Sequence, residues 1–192
     1  MAKKKSKKNK TRMIISLIIV ALAVLTICTM FMSVINVTGK VGILGFGTET
    51  TTSISGTDIF ASVFHGEVST DLNAGTNLLV GLKGAEHAGF VTTVFIWGYI
   101  LTVIIAIAAL VFSILSLVGM RFNKVNMLVG VILLLLAIVT FVFGIIVAGK
   151  FSAEAGIQGV LSAGSVGSLA LGAYVLIATM IGGGALSYAS KK

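Results

Sequence analysis

The chain alternates long apolar stretches with short polar ones. Four stretches are long and apolar enough to cross a bilayer, which takes about 20 residues at 1.5 Å each. They cover residues 13–35, 90–118, 125–148 and 163–188, and none holds an Asp, Glu, Lys, Arg or His. The third is the purest, with an unbroken aliphatic run over 131–139; the fourth is rich in Gly, Ala and Ser. A helix satisfies its own backbone hydrogen bonds in lipid, whereas barrel strands would show as short alternating segments. The pattern predicts an all-α membrane protein with a four-transmembrane-helix bundle. Between and around the spans lie residues 1–12, 36–89, 119–124, 149–162 and 189–192.

Residues 36–89 form the only sizeable polar region, too long for a bare connection. Residues 35–43 alternate apolar with polar or small side chains, the signature of a half-buried strand. Gly45-Phe46-Gly47 punctuates it, and the threonine-rich stretch 49–55 favours a second strand. A small β-hairpin-containing extracytoplasmic module is therefore expected in this first outside loop. Next, Thr57 or Asp58 can cap a short helix whose Ile59, Phe60, Val63 and Phe64 share one face. That face either packs onto the hairpin or lies among lipid headgroups. Residues 65–77 read as loop, and 77–88 as a short helix or an extension into the second span. The 149–162 loop is short, and its Gly and Ala content fits close packing or flexibility equally.

Charge sets the expected orientation. Of the fourteen Lys and Arg, Lys3, Lys4, Lys5, Lys7, Lys8, Lys10, Arg12, Arg121, Lys124, Lys191 and Lys192 fall on one side. Lys40, Lys83 and Lys150 fall on the other, with all six acids. The positive-inside rule then places both termini in the cytoplasm of a plasma-membrane protein. The basic tail, residues 1–12, fits a topology determinant that also attracts anionic lipid headgroups. It lacks the interleaved aromatics of a nucleic-acid contact.

Composition excludes much else. With 57% apolar and 10% charged residues, the chain is neither an ordinary soluble domain, at about 25% charged, nor disordered. One cysteine, Cys28, allows no internal disulfide. Set inside an apolar segment, it reads as a small buried thiol. His65 and His87, with Glu67 and Glu86 beside them, fall short of the three or four converging ligands that a metal needs. No nucleophile elbow, phosphate loop or zinc-protease motif is present. No catalytic residue, cofactor or metal is expected. The absence of ionisable groups within the spans also speaks against transport by this chain alone.

The clearest signal in the spans concerns packing. Gly164, Ser168 and Gly172 recur every four residues, and Ala178 and Gly182 repeat the spacing. On a helix this makes a small-residue face that lets backbones approach closely. It would serve the protein's own bundle, or dock another membrane protein or a second copy. The expected interaction residues are therefore Ile59, Phe60, Val63 and Phe64 outside, and Gly164, Ser168 and Gly172 in the fourth span.

Four spans, cytoplasmic ends, a long strand-bearing first outside loop and a short second one resemble the plan of claudin-like tetraspan proteins. The resemblance covers most of the chain as architecture. The claudin Trp-x-x-Trp-Cys-Cys-like element has no counterpart, since residues 36–89 contain neither Trp nor Cys. The stretch Ser55-Gly-Thr-Asp-Ile-Phe60 is similar to one in small bacterial four-span membrane proteins of uncharacterised role. The bacterial match implies no known activity; the lack of catalytic groups and of charges within the spans points to a non-enzymatic structural or protein-interaction role. An accessory subunit of a transport or secretion complex is the alternative.

Overall fold

The structure is a computed structural model that describes residues 2–43, 46–118, 123–157 and 161–189. Four of its helices are long and apolar enough to cross a membrane, over Met13–Phe31, Gly89–Leu117, Lys124–Lys150 and Leu171–Tyr188. In chain order the helices are α1 (Ala2–Cys28), α2 (Gly56–Phe64), α3 (Ala74–Gly84), α4 (Gly89–Leu117), α5 (Asn123–Lys150) and α6 (Leu171–Ala189). The strands are β1 (Ser33–Ile43), β2 (Phe46–Ser55), β3 (Ala153–Ile157) and β4 (Leu161–Leu169), and a 3-10 turn, Thr29–Phe31, joins α1 to β1. The protein is a four-helix membrane bundle carrying a hairpin-containing module.

Two boundaries move from where hydropathy alone sets them. The first span ends at Phe31, not at residue 35, because alternation from Ser33 onward suits a strand better than a third apolar turn. The fourth begins at Leu171, not at residue 163, because 161–169 is β4. Gly and Ser in that stretch weaken a helix, and β1 offers backbone partners.

The sheet is antiparallel, in the order β2-β1-β4-β3. The β1–β2 hairpin is the expected one, and β3–β4 is a second hairpin from the loop between spans three and four. They meet through β1 and β4, in register from Ile35↔Leu169 to Ile43↔Leu161. Two loops can share a sheet only if they emerge on the same side of the membrane. The pairing is consistent with α4 and α5 crossing and returning.

The chain divides into two compact units. One holds residues 1–28, 100–138 and 175–192. Its helices meet in a ring. Ser16 on α1 faces Ser116 on α4, 3.4 Å between hydroxyls. Ala109 of α4 clusters with Val129 and Leu133 of α5. A Cβ added to Gly130 of α5 would lie 2.7 Å from the Gly184 carbonyl of α6, and one on Gly184 would lie 2.8 Å from the Gly130 carbonyl. Thr179 of α6 accepts a hydrogen bond from Thr26 of α1 at 2.8 Å. Leu17, Ile104, Ile107, Leu135 and Ile138 point outward instead and are exposed. Small and hydroxyl groups inside with large aliphatics outside is the arrangement lipid favours; in water such a surface would aggregate.

The other unit holds residues 29–99 and 139–174. Ile35, Ile54, Ile59, Leu79, Phe95 and Val147 form its buried core. Gly167 of β4 lies against the Ala148 carbonyl and the Phe151 side chain. A larger residue there would lift the strand from α5.

Candidate interaction surfaces

A polar clasp surrounds Asp58. β2 ends where Ser55 caps α2, with its side chain accepting from the Asp58 backbone N–H. The Asp58 carboxylate answers by accepting from the Ser55 backbone N–H at 2.9 Å and the Ser55 hydroxyl at 2.7 Å. This is a capping box, in which two otherwise orphan donors are satisfied reciprocally. The cap is thus Ser55, not Thr57 or Asp58. The other carboxylate oxygen accepts from Thr76 of α3 at 3.0 Å. Gly75 leaves room for that approach, since a Cβ there would come within 2.8 Å of the carboxylate. One buried acid therefore joins β2, α2 and α3. At the other end of α2, the Lys83 ammonium donates to the Ser62 and His65 carbonyls at 2.8 and 2.7 Å, where a cation complements the helix dipole. The loop before α3 is tied back by Asn77, which donates to the Ser69 carbonyl at 2.7 Å and accepts from the Ser69 N–H at 3.0 Å.

The four apolar residues expected on one face of α2 separate. Ile59 is fully buried, Val63 is half-buried, and Phe60 and Phe64 are exposed, their ring centroids 5.6 Å apart. Asp58 and Ser62 take the buried side with Ile59. The helix packs against α3, β2 and the 3-10 turn, so the packed reading holds for Ile59 and not for the phenylalanines.

The small-residue face expected on the fourth span is absent as a helical feature. Gly164 and Ser168 lie on β4, opposite Lys40 and Asn36 of β1. Gly172, the second residue of α6, sits where a Cβ would meet the Ser33 carbonyl and Met32 Cβ. It packs within its own chain. A spacing of four is even, so it also places Gly164 and Ser168 on one face of a strand.

That face of the sheet is polar. Asn36 accepts from Ser53 at 3.0 Å, the Thr38 and Thr51 hydroxyls bond at 3.1 Å, and Lys40 pairs with Glu49 at 2.6 Å. These are successive cross-strand pairs on the solvent side of β1 and β2, and the exposed Val166 of β4 lies beside Thr38. β2 and β3 are the sheet's two edges.

His65, Glu67, Glu86 and His87 are all exposed. Among the described residues no three His, Cys, Asp or Glu are grouped to hold a metal ion. Cys28, expected to be buried, is exposed at the end of α1. Gly45 lies outside the described residues. The chain matches no protein-family model and no curated protein.

Proposed function

We propose that the chain is a non-enzymatic multi-pass protein of structural or protein-interaction type, on the plan of a claudin-like tetraspan. The observation that carries this reading is the β1–β4 pairing, which joins both outer loops into one sheet with a polar face and two edges. A sheet with an exposed polar face and two edges suits recognition of another membrane protein or a second copy. Strand edges offer unpaired backbone groups as ready templates for such contacts. In this reading the termini are cytoplasmic, the sheet faces outside the plasma membrane, and the basic tail rests on anionic lipid.

The test is amine crosslinking from Lys40, exposed on the sheet face, in native membranes, followed by mass spectrometry. Crosslinks between copies, or to one recurrent membrane protein, are expected. A recurrent transporter or secretion subunit would make this chain an accessory subunit instead. Turnover or flux by the pure protein would overturn both readings.

A further inference from the structure

α2 buries Ile59 yet leaves two aromatic side chains outside. Its polar Asp58 and Ser62 point inward, while Phe60 and Phe64 point out. No exposed residue on it is charged; the third fully exposed position is Thr57. A helix on a water-facing module turns its apolar stripe inward. Aromatics left outside such a helix mark a surface that meets lipid or a protein, and the position of α2 chooses between them.

Where α2 begins is fixed by its contacts. Gly56, its first residue, is seated against Met30 and the Tyr99 hydroxyl, and α2 packs on the turn Thr29–Phe31. That turn is the last of the first span, which has 19 residues. At 1.5 Å per residue the span measures about 28 Å against a hydrocarbon core of about 30 Å. It has no slack, so Met30 and Phe31 must stand at the outer edge of the core. Gly56 stands there too.

From that point Phe60 rises at most about 6 Å and Phe64 at most about 12 Å, whatever the tilt. The interfacial layer of one leaflet is about 5–8 Å deep, and helical side chains lean toward the helix N-terminus. Both rings therefore lean back toward the Gly56 end. The one cation on α2, the Lys83 ammonium, binds its opposite end.

We propose that α2 is an aromatic anchor in the outer headgroup layer, its Phe60–Phe64 face covered by lipid rather than by a protein. The proposal requires that the four helices cross the bilayer. It does not depend on any partner of the sheet.

The test uses the full chain in phosphatidylcholine vesicles. Trp97 is the sole tryptophan, so Trp97→Phe gives a dark background for Phe64→Trp. The expected result is blue-shifted emission, quenched roughly two-fold or more by lipid brominated high on its acyl chains, where interfacial side chains reach. Acrylamide should quench it little. Strong acrylamide quenching with no effect of brominated lipid would overturn the proposal and leave the aromatic pair to a protein partner. Phe60→Trp reads the same layer should Phe64→Trp fail to fold. Failure of the crosslinking experiment would not alter this result.

Discussion

The two units of this chain hold themselves together by opposite means. In the bundle unit, the closest backbone approach falls where side chains are absent. Gly130 and Gly184 have no side chains, and their backbones meet; Thr26 with Thr179 adds a short hydroxyl bond at 2.8 Å, and Ser16 with Ser116 a longer one at 3.4 Å. In the sheet unit, cohesion comes from presence: strand pairing, and one buried carboxylate that accepts from Ser55 twice and from Thr76. The difference follows from solvent. Within lipid, apolar side chains gain little by leaving their surroundings, so fit between backbones decides association. A module built of polar loops must satisfy its buried donors and acceptors, and each one left open costs about 1–3 kcal/mol.

That contrast can be broken most forcefully at Asp58. Asp58→Ala removes the acceptor of three hydrogen bonds and is expected to cost about 3 kcal/mol. The loss should show as faster amide exchange in β2, α2 and α3, with α1 and α6 unchanged in their 1–28 and 175–189 segments. Asp58→Asn keeps one acceptor oxygen and should lose less. Equal loosening of both units would show that they do not hold together separately.

Gly184→Leu attacks the other unit. The new side chain would start 2.8 Å from the Gly130 carbonyl and 2.7 Å from Leu134 Cγ, and backbone cannot yield as a side-chain end can. Overpacking of this kind costs about 2 kcal/mol, read as a lower thermal midpoint in detergent. Here exchange should rise in α5 and α6 while the sheet stays protected. Gly149→Ala is the control, since nothing lies within 4 Å of an added Cβ there, and its midpoint should hold or rise slightly, because Ala is the better helix former.

How legible each unit was in the sequence follows the same division. The spans were readable because bilayer solvent imposes one rule on every residue of a long segment. β1 and β2 were readable because their alternation is local. β4 was not, since Gly164 and Ser168 satisfy both a helical and an extended period, and only the distant partner β1 chooses between them. Nothing in the sequence links Gly130 to Gly184; they become a pair only when α5 and α6 pack. The Ser55–Asp58 cap was legible as chemistry, but its frame was off by a turn position. Phe60 and Phe64 were legible as apolar and illegible as exposed, because a face says nothing of what it meets.

A finer probe of the bundle is Thr26→Val. It deletes the hydroxyl that donates to Thr179 while keeping shape. Interhelical hydrogen bonds in membranes average about 0.6 kcal/mol, so a loss near that value is expected. A double-mutant cycle with Thr179→Val should give a coupling of the same size. A coupling several times larger would mean that polar contacts, not backbone fit, hold this unit, and the contrast with the sheet unit would fail.

The smallest effect is expected at Lys40 and Glu49, although their ion pair is only 2.6 Å long. Their side chains are 58% and 60% exposed, so water and salt screen the attraction, and ordering two long side chains offsets much of it. Exposed pairs of this kind contribute about 0.2–1 kcal/mol. Lys40→Ala should therefore cost no more than about 0.5 kcal/mol in purified protein at moderate salt, because the backbone pairing of Lys40 with Glu49 and Gly164 survives the truncation. Measured in native membranes, the same substitution separates two situations. An unchanged small effect means that the tip of the sheet stands free in water. A loss well above about 1 kcal/mol means that the pair is desolvated there, since burying a charge and then removing its partner is what makes an ion pair costly to break. That second outcome would place the contact surface at the tip of the hairpin, away from α2.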